Sequence, residues 1–192
     1  MIRRFLSRLI PEIPVVIDPV LSATAGGNLI TESSLEKIRE VYLSDLLPFA
    51  NVVTPNLQEA RFLINYSDDL FDPEEIAISL LDISGADSVI ITGVEKKPGK
   101  LTDIIVNRNS DSRSNTEWEH QMIECENLHG TGCAYSSILA CRLALGEPIH
   151  KAFIRTAIDM QSIISDSCSY RLGNSSYGPL NVNGYKLKRQ KE

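Results

Sequence analysis

Cysteine is scarce in this chain, and what is missing around it sets the first limits. The four cysteines, Cys125, Cys133, Cys141 and Cys168, show no Cys-x-x-Cys spacing and form no dense framework. That excludes a zinc finger and a disulfide scaffold and fits a reducing, cytoplasmic setting. No apolar run approaches the ~20 residues that cross a bilayer, so no membrane span is expected. There is no excess of basic charge either: a formal net charge of −6 argues against a nucleic-acid surface. The basic residues Lys186, Lys188, Arg189 and Lys191 gather in the tail, where they read as a solvated terminus rather than a binding arm. Internal repeats and low-complexity tracts are absent.

What is present suits one globular domain: 192 residues, 43% of them apolar, are enough to bury a core. At the start, Ile2, Phe5, Leu6 and Leu9 repeat as the stripe of a packed helix, which speaks against a transit peptide. Val15-Val16-Ile17 is a short apolar run of the kind buried in a parallel sheet, closed by Asp18-Pro19. A carboxylate at the end of such a strand faces the crevice where open α/β sheets bind ligands, although Asp18 also suits a plain turn or cap. Residues 22–28 read as a small, polar loop beside that crevice.

Ser33-Ser34-Leu35-Glu36 predicts a capping box, opening a helix whose inward stripe is Leu35, Ile38, Tyr42 and Leu46 and which ends before Pro48. A strand follows over Asn51–Thr54, then a helix start at Pro55-Asn56-Leu57-Gln58-Glu59-Ala60. Asn56 and Glu59 share one face of its first turn; capping explains them without any function, and holding a magnesium ion through water explains Glu59 with one. Asp72-Pro73-Glu74-Glu75 caps a helix that runs to Gly85, and Ser88–Gly93 is the third apolar strand. Such alternation means a parallel sheet with right-handed crossovers.

The pattern then changes to two extended runs, 101–106 and 116–123, joined by a polar connection and expected as antiparallel edge strands. Trp118, His120 and Met122 share a face there. His120 reads as a strand residue and not a catalyst, because no carboxylate or nucleophile lies at useful spacing. Two helices close the chain, over 131–145 and about 149–165, the second packing through Phe153, Ala157, Met160 and Ile164. Cys125, Cys141 and Cys168 are expected as small buried hydrophobes, and His150 as a surface residue.

Between these halves stands His129-Gly130-Thr131-Gly132-Cys133, leading straight into the first closing helix. Two glycines allow a sharp turn that brings consecutive amides toward a ligand, and the helix behind them supplies a positive dipole end, together a seat for a phosphate. Cys133 places a sulfur beside the bound anion. Read alone, the same residues also describe an ordinary turn ahead of a core helix.

Together the pieces resemble a known family. Asp18-Pro19-Val20, Thr54-Pro55-Asn56-Leu57-Gln58-Glu59-Ala60, His129-Gly130-Thr131-Gly132-Cys133 with Ser136-Ser137, and Gly178-Pro179-Leu180-Asn181 resemble hydroxymethylpyrimidine/phosphomethylpyrimidine kinase in order and spacing from about Ile13 to Asn181. That is the thiamine-biosynthesis branch of the ribokinase-like superfamily. Cysteine after Gly-Thr-Gly, where most ribokinase relatives carry Asp, separates this branch from sugar and pyridoxal kinases.

The resemblance implies a ribokinase-like three-layer α/β/α sandwich, mostly parallel with antiparallel edge strands and N-terminally truncated, over residues 1–181, with 182–192 a disordered basic tail. It implies ATP-dependent phosphorylation of 4-amino-5-hydroxymethyl-2-methylpyrimidine and its monophosphate, with ATP and Mg2+ as cofactors, a small pyrimidine as partner, and neither nucleic acid nor membrane. By the same resemblance Gly130, Thr131 and Gly132 form the anion hole, Cys133 stands in for the general base, Asn56, Thr92 and Gly93 lie along the nucleotide, and Glu59 with Asp18 holds the metal. Three departures accompany it: Thr24 stands where relatives commonly carry Lys, Thr92-Gly93-Val94-Glu95 lacks a second glycine and a His, and the front segment that holds the pyrimidine is missing. Two alternatives follow: a catalytically silent nucleotide-binding remnant that needs a partner, and a pyridoxal-type kinase, which Cys133 disfavours; for the protein as such, a homo-oligomer or a chain that supplies the missing strands is the expected protein partner.

Overall fold

The structure is a computed structural model and describes residues 2–6, 8, 13–23, 27–28, 32–66, 72–108, 116–169, 178–183 and 185. Leu9, Thr24, the 109–115 connection and, in the tail, 184 and 186–192 lie outside the described residues. Among the described residues no helix is long and apolar enough to cross a membrane.

The elements follow the alternation of the sequence. α1 (Ile2–Leu6), β1 (Val16–Ile17), the small pair β2 (Ser22–Ala23) and β3 (Gly27–Asn28), and α2 (Glu32–Val41) come first. After α2 the backbone widens into a π-helical turn, Tyr42–Leu46, then tightens into a 3₁₀ turn, Leu47–Phe49, where Pro48 ends the helix. β4 (Val52–Val53), α3 (Leu57–Leu63) and α4 (Pro73–Ser84) lead to the hairpin β5 (Ser88–Lys97) and β6 (Lys100–Asn107), then β7 (Thr116–Gln121), α5 (Thr131–Ala144) and α6 (Ile149–Cys168).

One five-stranded sheet organises them in the order β1-β4-β5-β6-β7, with β1 at one edge. The β1–β4 and β4–β5 pairs are parallel and the β5–β6 and β6–β7 pairs antiparallel, so the described sheet is evenly mixed. Alternation along the central strands sends side chains to both faces. Val53, Val89, Ile91 and Ile104 pack on one side with Leu63, Ile76 and Leu80 of α3 and α4. Val52, Ile90 and Ile105 pack on the other with Leu139 and Phe153 of α5 and α6. Each such side chain, wholly buried, contributes about 1.5–3 kcal/mol of transfer free energy. The result is the three-layer α/β/α sandwich, with its core split by the sheet.

The local signals work where they are self-contained. Asp72 caps α4 by accepting the Glu74 amide at 3.0 Å, Pro73 occupies the first helical position, and Gly85 closes the helix at φ 73°. Four expectations are corrected. The helix predicted to be capped at Ser33 begins at Glu32, so Ser33 lies inside it. The opening helix packs only in part: α1 touches the Tyr42–Leu46 turn, but Ile2 and Phe5 of its stripe are 62% and 63% exposed. Cys141 is exposed because α5 turns Tyr135, Ile138, Leu139 and Arg142 inward and leaves position 141 on the outer side, and Cys168 is exposed at the last turn of α6. Arg142, by contrast, is buried at 1% exposure, tied to Glu147 at 3.2 Å and to Asp159, which also accepts the Tyr185 hydroxyl at 2.6 Å.

Candidate active site

Four chain segments converge at the C-terminal ends of the parallel strands. Asp18 follows β1, Asn56 and Glu59 follow β4, Thr92 and Gly93 lie where β5 bulges, and Gly130–Cys133 opens α5. Short parallel strands bring this about: Asn51 to Thr54 bond along β1, and an isolated parallel bridge joins Asn56 to Thr92. This is the crevice position expected of an open α/β sheet.

Asn56 and Glu59 form a reciprocal capping box. The Asn56 Oδ1 accepts the Glu59 amide at 2.9 Å, and the Glu59 Oε2 accepts the Asn56 amide at 2.9 Å. Glu59 Oε1 takes a further amide, Leu21, at 3.4 Å. The box holds Glu59 at 6% exposure, and burial pushes its carboxyl up, opposed by the Asn56 and Leu21 amides and assisted by the charge of Asp18. The Asp18 carboxyl is raised by burial as well, eased by the Ser136 hydroxyl, which donates to its Oδ2 at 3.5 Å. Two carboxylates thus face one another's field in a half-buried crevice. Tyr42, on the π-helical turn, completes it: burial first, then Glu59 and Asp18, push its phenol up.

The glycine turn closes the other side. Gly130 stands at φ 90° as the N-cap of α5, with no side chain in the way. The Thr131 amide is spent on the Leu128 carbonyl at 3.3 Å and the Ala134 amide on Gly130 at 2.9 Å, whereas the Gly132 and Cys133 amides have no partner among the described residues. Cys133 is exposed in the first turn, and its carbonyl accepts the Ser136 and Ser137 hydroxyls at 3.2 and 2.6 Å. A parallel bridge from His129 to Pro179 steadies the approach, the His129 amide reaching the Gly178 carbonyl at 3.2 Å and the Leu180 amide reaching the His129 carbonyl at 3.1 Å. All nine residues singled out in the sequence therefore lie around one crevice.

One expectation fails here, and it concerns chemistry. His120 does have a carboxylate: its Nε2 faces Asp103 Oδ2 at 3.7 Å, and Gln161 Nε2 lies 2.7 Å from its Nδ1. The pairing of β6 with β7 sets Leu101 opposite His120 and Asp103 opposite Trp118, a diagonal that spacing along one strand cannot reveal. Asp103 also accepts the Gly93 amide at 2.8 Å, so it holds the turn at φ 67° that ends in the crevice. A cavity of about 190 Å³ runs behind Thr92, Gly93, Thr131 and Gly132, and His120 lines it.

A divalent cation fits the donor set in one manner. Among the described residues there is no group of three or more His, Cys, Asp or Glu able to hold a metal. One buried and one half-buried carboxylate, hard oxygen donors beside free helix-end amides, suit Mg2+, which takes one or two carboxylates and completes its shell with water and substrate phosphates.

Fold and site together define a ribokinase-like α/β protein. The chain belongs to the phosphomethylpyrimidine kinase family, whose sequence model matches residues 1–181. The hydroxymethylpyrimidine/phosphomethylpyrimidine kinase of Bacillus subtilis is 29% identical over 174 residues, covering 90% of this chain and 60% of that protein. Among solved structures, an ADP complex of Bacillus subtilis pyridoxal kinase is 29% identical with a TM-score of 0.70, over 86% of this chain and 59% of that one. The Staphylococcus aureus pyridoxal kinase in complex with AMP-PCP is 27% identical with a TM-score of 0.72, over 90% and 59%. The chain thus spans about 60% of the length of these relatives.

Proposed function

We propose that this chain is a cytoplasmic phosphotransferase of thiamine biosynthesis that uses ATP and Mg2+ to phosphorylate hydroxymethylpyrimidine and its monophosphate. The observation that carries the reading is the pair of unpartnered amides at Gly132 and Cys133, aimed from a helix N-terminus into a crevice that also holds Asp18 and Glu59. Family membership and the relatives' names support the substrate class, and four free cysteines fit the reducing compartment.

Phosphoryl transfer depends on positioning and charge neutralisation more than on covalent chemistry. The Gly132 and Cys133 amides receive the oxygens of the migrating phosphoryl. The Cys133 sulfur accepts the proton of the attacking hydroxyl. Glu59, fixed by its capping box, and Asp18 hold Mg2+, which when bound supplies the positive charge that offsets the phosphates. Asn56 and Thr92–Gly93 lie along the nucleotide.

The test is a coupled ADP-release assay of the purified chain with hydroxymethylpyrimidine, beside direct binding of Mg-ADP. Cys133→Ala should abolish phosphorylation and leave Mg-ADP binding nearly intact; an unchanged rate would return Cys133 to a packing role. The same assay with pyridoxal addresses the second reading, which the names of the solved relatives favour.

A further inference from the structure

The cavity behind the glycine turn carries a polar arrangement that phosphoryl transfer does not use. Its walls are largely apolar, with Leu101, Leu128, Met160 and Ile164. A dry apolar cavity of about 150 Å³ admits benzene, so one of about 190 Å³ suits a flat heterocycle. Into this space project His120, Gln161 and Tyr135. The Tyr135 hydroxyl has no partner although the residue is only 5% exposed. A buried hydroxyl left unpaired is costly, and a ligand that reaches it recovers that cost.

Gln161 is held by His120, and His120 by Asp103, which is itself 4% exposed. In the neutral imidazole one nitrogen donates and the other accepts. With Nε2–H directed at Asp103, Nδ1 accepts from the Gln161 amino group at 2.7 Å, and the Gln161 carbonyl is left for a ligand. When the ring is charged, both nitrogens donate. The Gln161 carboxamide at 2.7 Å is a much nearer partner for Nδ1 than the Gln121 carbonyl at 3.5 Å, so it turns over, accepts the new proton with its oxygen, and leaves its amino group for the ligand.

Resting on the nucleotide reading above, we infer that Gln161 reads the base of the bound nucleotide and that His120 sets what it reads. With His120 neutral, the carbonyl of Gln161 accepts from the exocyclic amino group of adenine. With His120 charged, its amino group donates to the keto oxygen of guanine. The Tyr135 hydroxyl, donor and acceptor, serves either base. Among the residues lining the cavity, the ionisable groups facing His120 are Asp103 from β6 and Tyr135 from α5, while α6 contributes the uncharged Gln161. Burial alone would lower the imidazole pKa; the Asp103 bond and charge outweigh it and hold the pKa above its ordinary value. Burial keeps the Tyr135 phenol neutral throughout, raising it well above its usual range.

Calorimetric titration of the full chain with Mg-ADP and with Mg-GDP at pH 8.5 and pH 5.5 tests this. Taking the ratio of the two dissociation constants cancels the titration of the phosphates, which both ligands share. The expected preference for ADP is about tenfold at the higher pH, as for one well-placed hydrogen bond, and shrinks at least fivefold at the lower. Gln161→Met, close in volume and lacking the amide, should give a ratio near unity at both values, with thermal melting as the control for folding. If both nucleotides bind and the wild-type ratio is independent of pH, or if Gln161→Met keeps the dependence, the inference is wrong and the nucleotide reading stands. If the folded wild-type chain binds neither nucleotide, both fall.

Discussion

The Asp18 carboxylate lies directly behind the first turn of α5, so that a Cβ on residue 132 would stand 3.5 Å from its Oδ2. That is ordinary van der Waals contact, and Gly132 is already helical, so backbone strain does not forbid a side chain there. Gly132→Ala should therefore fold and gain up to about 1 kcal/mol from helix propensity. The methyl group, however, fills the approach between the free amides and Asp18. Mg-ADP affinity should fall at least tenfold in calorimetric titration while the urea midpoint holds or rises. Unchanged affinity would mean that no phosphate sits there.

Asp18 and Glu59 both carry pKa values raised by burial, and the two should respond oppositely to neutralisation. A carboxyl whose folded pKa is raised lends stability at low pH, and that stability is lost as pH rises through the folded value. Asp18→Asn keeps an acceptor for Ser136 and removes the strained charge, so it should stabilise the metal-free chain at pH 7 by about 0.5–1 kcal/mol. The advantage should shrink at a second, lower pH, as the wild-type carboxyl takes up its proton below its raised pKa. Glu59→Gln should destabilise by about 1–3 kcal/mol, because one of the two amides it serves is left facing an amino group. Both should weaken Mg-ADP binding. Urea denaturation at the two pH values checks the signs.

What could be read from the residues was what forms locally. The Asp72-Pro73 cap, the Gly85 stop and the Asn56–Glu59 pair each satisfy helix-end groups within a few residues, and the Gly130–Cys133 turn needs only its own glycines. The rest depends on partners far along the chain. Asp103 meets His120 only through the β6–β7 register, and their carboxylate–imidazole pair was therefore invisible to spacing along one strand. Tyr42 packs against the core as its place in the inward stripe predicts, but the π-helical turn that also brings its phenol into the field of Glu59 and Asp18 has no signal in the stripe. Ser33 lost its capping place to a helix that starts two residues earlier than a cap there requires. The alternating elements fix the sandwich; the antiparallel half of the sheet fixes the cavity.

The Asp103–His120 pair should also register in stability. Burial opposes the charged imidazole, but the neighbouring carboxylate prevails and raises its pKa. The stability this lends is fully present below the unfolded value near 6.5 and is lost as pH rises through the folded one. Asp103→Asn keeps an oxygen for the Gly93 amide and removes the charge, so that loss should disappear and the His120 resonance should titrate at lower pH in an NMR series. A titration curve that does not move would show that the charge of Asp103 is not felt.

Gly178 is fixed by contact rather than by backbone angle. A Cβ there would fall 2.0 Å from the Asn127 Oδ1 and 2.9 Å from its Cγ, and Asn127 cannot swing aside without giving up its bond to the Ser167 carbonyl at 2.6 Å. The same glycine accepts the His129 amide and donates to the Glu126 carbonyl, both at 3.2 Å, so any shift is passed to the segment that enters the glycine turn. Gly178→Ala should cost about 1–3 kcal/mol in the urea midpoint, as overpacking does, and should weaken Mg-ADP binding although residue 178 touches no ligand. Pro179→Ala next to it, at an exposed position, should stay within about 0.5 kcal/mol and leave binding unchanged. If the alanine at 178 left both midpoint and affinity alone, the Gly178–Leu180 segment would not be what holds His129, and the cradle would have to be steadied from α5 alone.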